Sequence, residues 1–111
     1  MSQFEYILFF RKWFWKKINN CWTADILNIS NIKTKGSDWK NLHDTEKPTD
    51  LMSILIENSS NKWDNILDPF MWIGTTAIAC INTNRNFIWF ELDEWYYNIA
   101  NKRIQDKLLE K

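Results

Sequence analysis

Two carboxylates stand where chemistry with a nucleoside could be done: Asp68 in NILDPF (residues 65–70) and Glu91 in NFIWFE (residues 86–91). A carboxylate at the end of a strand can accept hydrogen bonds from both hydroxyls of a ribose. Between the two acids lie Gly74, Thr75 and Thr76. A glycine there lets backbone approach a ligand, the hydroxyls add polar contacts, and a helix that starts at this point offers unpaired N–H groups. Phe70, beside the turn, supplies a ring that could pack on a base. Position alone leaves a second reading equally open, in which Asp68 and Glu91 only cap neighbouring helices.

Holding these groups at one edge requires alternating strands and helices. Residues 65–67 read as a short buried strand, 74–82 as a helix, 86–91 as a second strand, and a last helix starts near Glu94 with Asp93 as its N-cap. Tyr96, Ala100, Ile104 and Leu108 fall four apart and give that helix one apolar face. Upstream, Pro48 suits a first helical turn, and Leu51, Met52, Leu55 and Ile56 repeat at helical spacing to about Asn58. QFEYILFFR (3–11) reads as a strand, 12–22 as a basic aromatic loop, 23–30 as a short extended piece, and 31–47 as loop. Strand, helix, strand, helix with short links predicts parallel strands in a right-handed βαβ unit. Two strands cannot bury both faces of a parallel sheet, so the expectation is an α/β fragment of a larger sheet.

Composition adds two constraints. The 14 basic and 14 acidic residues cancel, yet Arg11, Lys12, Lys16, Lys17, Lys33, Lys35 and Lys40 crowd the first part of the chain. The Arg11–Lys17 cluster could touch DNA phosphates, although a solvated loop is the stronger reading. The two cysteines, Cys21 and Cys80, lack metal-ligand spacing and read as free thiols of a reducing compartment. No apolar run has the length of a membrane span, and no signal peptide is evident, so a cytoplasmic location is expected. The second constraint is an imbalance: 8 Trp against 2 Gly, where ordinary usage gives roughly 8 Gly at this length.

LDPFMWIGTTAIA (67–79) followed by FIWFELD (87–93), and preceded by LHDTEKPTDLMSILIENSS (42–60), resembles the C-terminal part of the DNA amino-methyltransferases that act on adenine N6 or cytosine N4. The similarity is close over residues 42–107, and three separated motifs occur in the family's order. Its cofactor motif, D-P-F/C followed by G-x-G-T-T/S, matches Asp68, Pro69, Phe70, Gly74, Thr75 and Thr76. Its ribose-holding acid matches Glu91, and its H-x-T-x-K-P segment matches His43, Thr45, Lys47 and Pro48. The resemblance implies a partial Rossmann-like, S-adenosylmethionine-dependent methyltransferase fold. S-adenosylmethionine would then lie between the Lys47–Pro48 segment and the Asp68–Thr76 turn. Residues 1–41 would end a target-recognition region, and 42–111 would form the donor-binding part. A lone histidine before a helix is more often structural, and Lys47 is equally a cofactor contact or a solvated charge.

Two departures from the family pattern shape the expected function. The tetrapeptide D/N-P-P-Y/F/W is absent, since the two prolines are Pro48 and Pro69. In the family it hydrogen-bonds and stacks on a flipped base, so no catalytic residue is assigned here, and a missing N-terminal portion is expected to supply it. Position 72 is tryptophan where the family has the first glycine of G-x-G, and Trp63 and Trp89 also stand where glycine is usual. A gene that uses UGA for glycine, written out with UGA as tryptophan, would produce both imbalances. A decaying or truncated gene is the other reading, and Met1 could be an internal methionine of a longer frame. The expected function is thus the donor-gripping fragment of a site-specific DNA methyltransferase of restriction-modification type, inactive alone and without a metal. Two other classes stay open. One is a nicotinamide-type nucleotide-binding fragment, which the Asp-Pro-Phe turn and single following glycine disfavour. The other is a non-catalytic, aromatic-rich module that binds a partner or nucleic acid.

Overall fold

The computed structural model describes residues 6–12, 17–20, 22–24, 26–30 and 46–110. Five elements follow in order: α1 (Thr49–Ser59), β1 (Asn65–Asp68), α2 (Thr75–Thr83), β2 (Asn86–Trp89) and α3 (Glu94–Leu109). The strands pair in parallel, with Asn65 opposite Asn86 and Asp68 opposite Trp89. This is the expected β-α-β-α order, preceded by the expected helix. No helix among the described residues is long and apolar enough to cross a membrane.

The core forms where α2 lies on the sheet. Met71, Ala77, Ile81 and Ile104 make one buried cluster, against which Phe87 and Trp89 pack. Ile56, Ala79 and Cys80 make a second, joined by Met52, Ile66 and Phe87. Small residues on α2 let α1 and α3 approach it from either side. Alternation along the strands sends Ile66, Phe87 and Trp89 inward, and leaves Leu67 and Ile88 61% and 52% exposed on the other face. That face is bare among the described residues, as expected of a piece of a larger sheet.

Local chemistry sets the element ends. Asp93 accepts hydrogen bonds from the N–H groups of Trp95 and Tyr96 at 2.9 and 3.1 Å, which is the expected N-cap of α3. Asn84 ends α2 in the left-handed region, its N–H directed to the Cys80 and Ile81 carbonyls. Arg85 ties α1 to α2 by donating to the Ser60 carbonyl at 2.8 Å and the Thr83 carbonyl at 2.6 Å. Gly74 caps α2 at φ 86°, and a Cβ there would sit 3.3 Å from Ala100 Cβ. Gly74→Ala is therefore expected to cost about 1–3 kcal/mol through left-handed strain and crowding of α3, read from the urea midpoint.

Several expectations change. Residues 6–11 form no strand, and Tyr6 and Phe10 are 95% and 82% exposed. Aromatic and branched residues alone do not make a strand without a partner ladder, and none is present among the described residues. Residues 3–5 of that reading, such as Gln3, lie outside the described residues. The described part of 23–30 has no regular structure either. β2 ends at Trp89 rather than Glu91, because the Phe90 carbonyl turns to accept from Met71 N–H at 3.1 Å. On α3 only Ala100 and Ile104 of the apolar face are fully buried, while Leu108 in the last turn is 46% exposed.

Cys80 is buried as expected, and Cys21 lies outside the described residues. Burial pushes the Cys80 thiol up to about 11; Arg85 opposes the shift and Asp68 adds to it. The folded value exceeds the unfolded one, so this contribution to stability is complete below pH 9. It is lost as the pH rises through 11, because the unfolded chain releases the proton first. Alkaline unfolding curves should show a loss between these limits that Cys80→Ala removes.

Candidate functional site

The two acids meet at the carboxyl edge of the sheet, each gripping a turn. Asp68 Oδ2 accepts from Thr76 Oγ1 at 2.5 Å, and Oδ1 accepts from Phe70 N–H at 3.0 Å. The end of β1 is thereby laced to the first turn of α2, and the Thr76 hydroxyl is directed to the acid. Glu91 Oε2 accepts from Trp72 N–H at 2.8 Å, while Oε1 accepts from Asp93 N–H at 2.9 Å. Glu91 therefore bridges the turn after β1 to the start of α3. Neither acid caps a helix, since α2 has no side-chain cap and Asp93 caps α3; both brace turns instead. A carboxylate offers about four lone-pair directions, so acceptor capacity remains for a ligand hydroxyl.

Phe70 stands beside the turn with 74% of its surface exposed, and Pro69 is exposed too. Thr75 and Thr76 are buried at 7% and 8% exposure, which favours a structural share in the turn over open contact with a guest. Trp72 holds φ 51° and is 37% exposed. Its N–H is the one Glu91 accepts, so a side chain that buries on the order of 150–250 Å² is rooted one hydrogen bond from that acid. Glu91, Trp72, Phe70, Asp68, Gly74 and Thr76 thus belong to one edge.

The second segment approaches through a contact that sequence reasoning missed. Glu46 is 4% exposed and pairs with Arg103 of α3 at 3.4 Å, and Arg103 also donates to the Ile73 carbonyl at 2.5 Å. One guanidinium thus connects the residue before Lys47–Pro48 to the turn that carries Trp72. Burial lowers the Arg103 pKa and Glu46 opposes the shift, so the charge is retained. The available signal was Arg103 lying between Ala100 and Ile104 on the inner side of α3. Pro48 stands just before α1 as its N-cap residue, and its carbonyl accepts from Met52 N–H at 3.2 Å. Lys47 is half-buried and lines a groove of about 340 Å³ with Tyr6, Ile7, Leu51, Met52 and Leu55.

His43 and Thr45 lie outside the described residues, as does Lys16. Arg11, Lys12 and Lys17 are exposed. A larger groove of about 470 Å³, lined by Asn19, Asn20, Glu57, Asn61, Lys62 and Arg85, opens near the amino ends of the strands. It is remote from Asp68 and Glu91 along the strands, and a ligand in an open parallel sheet belongs at the carboxyl edge.

Comparison with known proteins gives the family. The DNA methylase family matches residues 10–102. The Type II methyltransferase M1.MboII of Moraxella bovis is 45% identical over 69 residues, covering 62% of this chain and 26% of that protein. M2.DpnII of Streptococcus pneumoniae is 32% identical over 90 residues, 81% of this chain and 31% of its own length. Among solved structures, the M1.HpyAVI–SAM complex superposes with a TM-score of 0.54 at 45% identity, covering 56% of this chain and 32% of that one. The chain spans about a third or less of these relatives. By fold, by turn and by matched span, this chain belongs to the DNA methylase family of N6 and N4 amino-methyltransferases.

Proposed function

We propose that this chain is the donor-binding part of a DNA methyltransferase that takes its methyl group from S-adenosylmethionine and delivers it to adenine N6 or cytosine N4. The observation that carries the reading is Glu91, held at the sheet edge by two backbone N–H groups with acceptor capacity to spare. In this reading Glu91 accepts the ribose hydroxyls, exposed Phe70 packs on the adenine or the methionyl chain, and Asp68 keeps the turn in shape. The acids and the ring suit a nucleoside, whereas the indole at position 72 crowds it. S-adenosylmethionine supplies a methyl group made electrophilic by its sulfonium. Lys47 and Pro48 flank the methionine end, with His43 and Thr45 just upstream, and Arg103 holds this segment to the turn through Glu46.

The base-handling tetrapeptide is absent from the sequence, so in this reading a missing N-terminal portion of the enzyme presents the flipped base. That portion also covers the bare face of Leu67 and Ile88. DNA is thus met by the assembled enzyme. The purified chain with DNA and labelled S-adenosylmethionine is expected to transfer no methyl above a no-protein control. Methyl transfer by the chain alone would overturn this division of labour. Calorimetric uptake of NAD without uptake of S-adenosylmethionine would overturn the donor assignment.

A further inference from the structure

Among the described residues four non-glycine positions hold positive φ: Asn20, Trp63, Trp72 and Asn84. Asparagine tolerates that region because its short side chain bonds locally, whereas a bulky residue there is an outlier. The two tryptophans hold φ 71° and 51°. Backbone partners fix both. Trp63 N–H donates to the Asn84 carbonyl at 2.8 Å, and its own carbonyl accepts from Asn86 Nδ2 at 2.7 Å. Trp72 N–H donates to Glu91. Packing does not explain the strain at position 63, where the residue is 70% exposed. Both places ask for a residue without a Cβ.

We infer that the natural product of this gene carries glycine at positions 63 and 72, and that both codons are UGA read as glycine. Composition supports the inference independently: 8 Trp and 2 Gly is the imbalance that such a misreading produces. One coding rule thereby explains a local backbone property and a global count, where random decay would not single out left-handed positions. Trp89 separates from the pair. It lies in β2, whose extended backbone any residue adopts, and it packs on Tyr97 with ring centroids 4.9 Å apart. The structure makes no demand for glycine there, and its codon alone decides it.

With glycine at 72, the N–H that Glu91 holds carries no side chain, and the edge beside the acid opens. The inference does not rest on the donor-binding reading, and its tests use no ligand. Codons 63 and 72 are expected to be UGA; UGG at either overturns the proposal. Peptides recovered from the source cells should show glycine at both positions by mass spectrometry, and tryptophan at either overturns it. As a physical check, Trp63→Gly and Trp72→Gly should each raise the folded-to-unfolded ratio about 5- to 30-fold. The exposed Trp22→Gly control should give no such gain. A fall in the ratio for both glycine variants would overturn the conformational argument.

Discussion

Replacing Arg103 with alanine is expected to destabilise the chain by about 1.5–3 kcal/mol, because the buried Glu46 carboxylate loses a charged contact. The pair stands 3.4 Å apart with side chains 20% and 4% exposed, so water does little to screen it. The Ile73 carbonyl loses its donor in the same step. Replacing both partners with methionine should restore most of the loss, since a buried ion pair exchanged for apolar packing is often neutral. Urea unfolding of the two single variants and the double variant measures the coupling. A loss below about 1 kcal/mol for Arg103→Ala, as for an exposed pair, would show that this contact does not hold the segment before α1 to the turn. Lysine at 103 should recover the charge but not both contacts, because its single ammonium lacks the planar fork.

Glu91→Ala should weaken S-adenosylmethionine binding by the assembled enzyme about 100-fold or more. Two hydrogen bonds to a charged acceptor contribute about 1.5–3 kcal/mol each, and tenfold in affinity is about 1.4 kcal/mol. Glu91→Gln keeps one carbonyl acceptor and should fall between. The same substitution removes the acceptor of Trp72 N–H and Asp93 N–H, so the unfolding midpoint must be recorded beside the calorimetric constant. Full-affinity binding with a lowered midpoint would reduce Glu91 to a structural brace.

Much of the fold was legible because it depends on neighbours in sequence. Spacing of Leu51, Met52, Leu55 and Ile56 gave α1, and Asp93 before a polar-apolar repeat gave the cap of α3. That the acids stand at the ends of neighbouring strands was legible from the strand-turn-helix pattern around Asp68 and the strand before Glu91. Their internal partners were not, since a carboxylate's acceptors can serve backbone and ligand alike. The Arg103–Glu46 contact was hidden for another reason: it joins distant segments, and no local pattern encodes that distance. The segment at 6–11 shows the converse error. Its residue types favour a strand, but strand formation is a property of two partners, and the described residues supply one.

The bare strand face has an exposed flank on either side. With two strands in the sheet, β1 and β2 each present an outer row of amides and carbonyls among the described residues. Such rows template further pairing, with other copies of the chain as readily as with the remaining strands of a larger sheet. Raising the concentration of the chain should therefore favour clumping, and its soluble yield should fall as concentration rises.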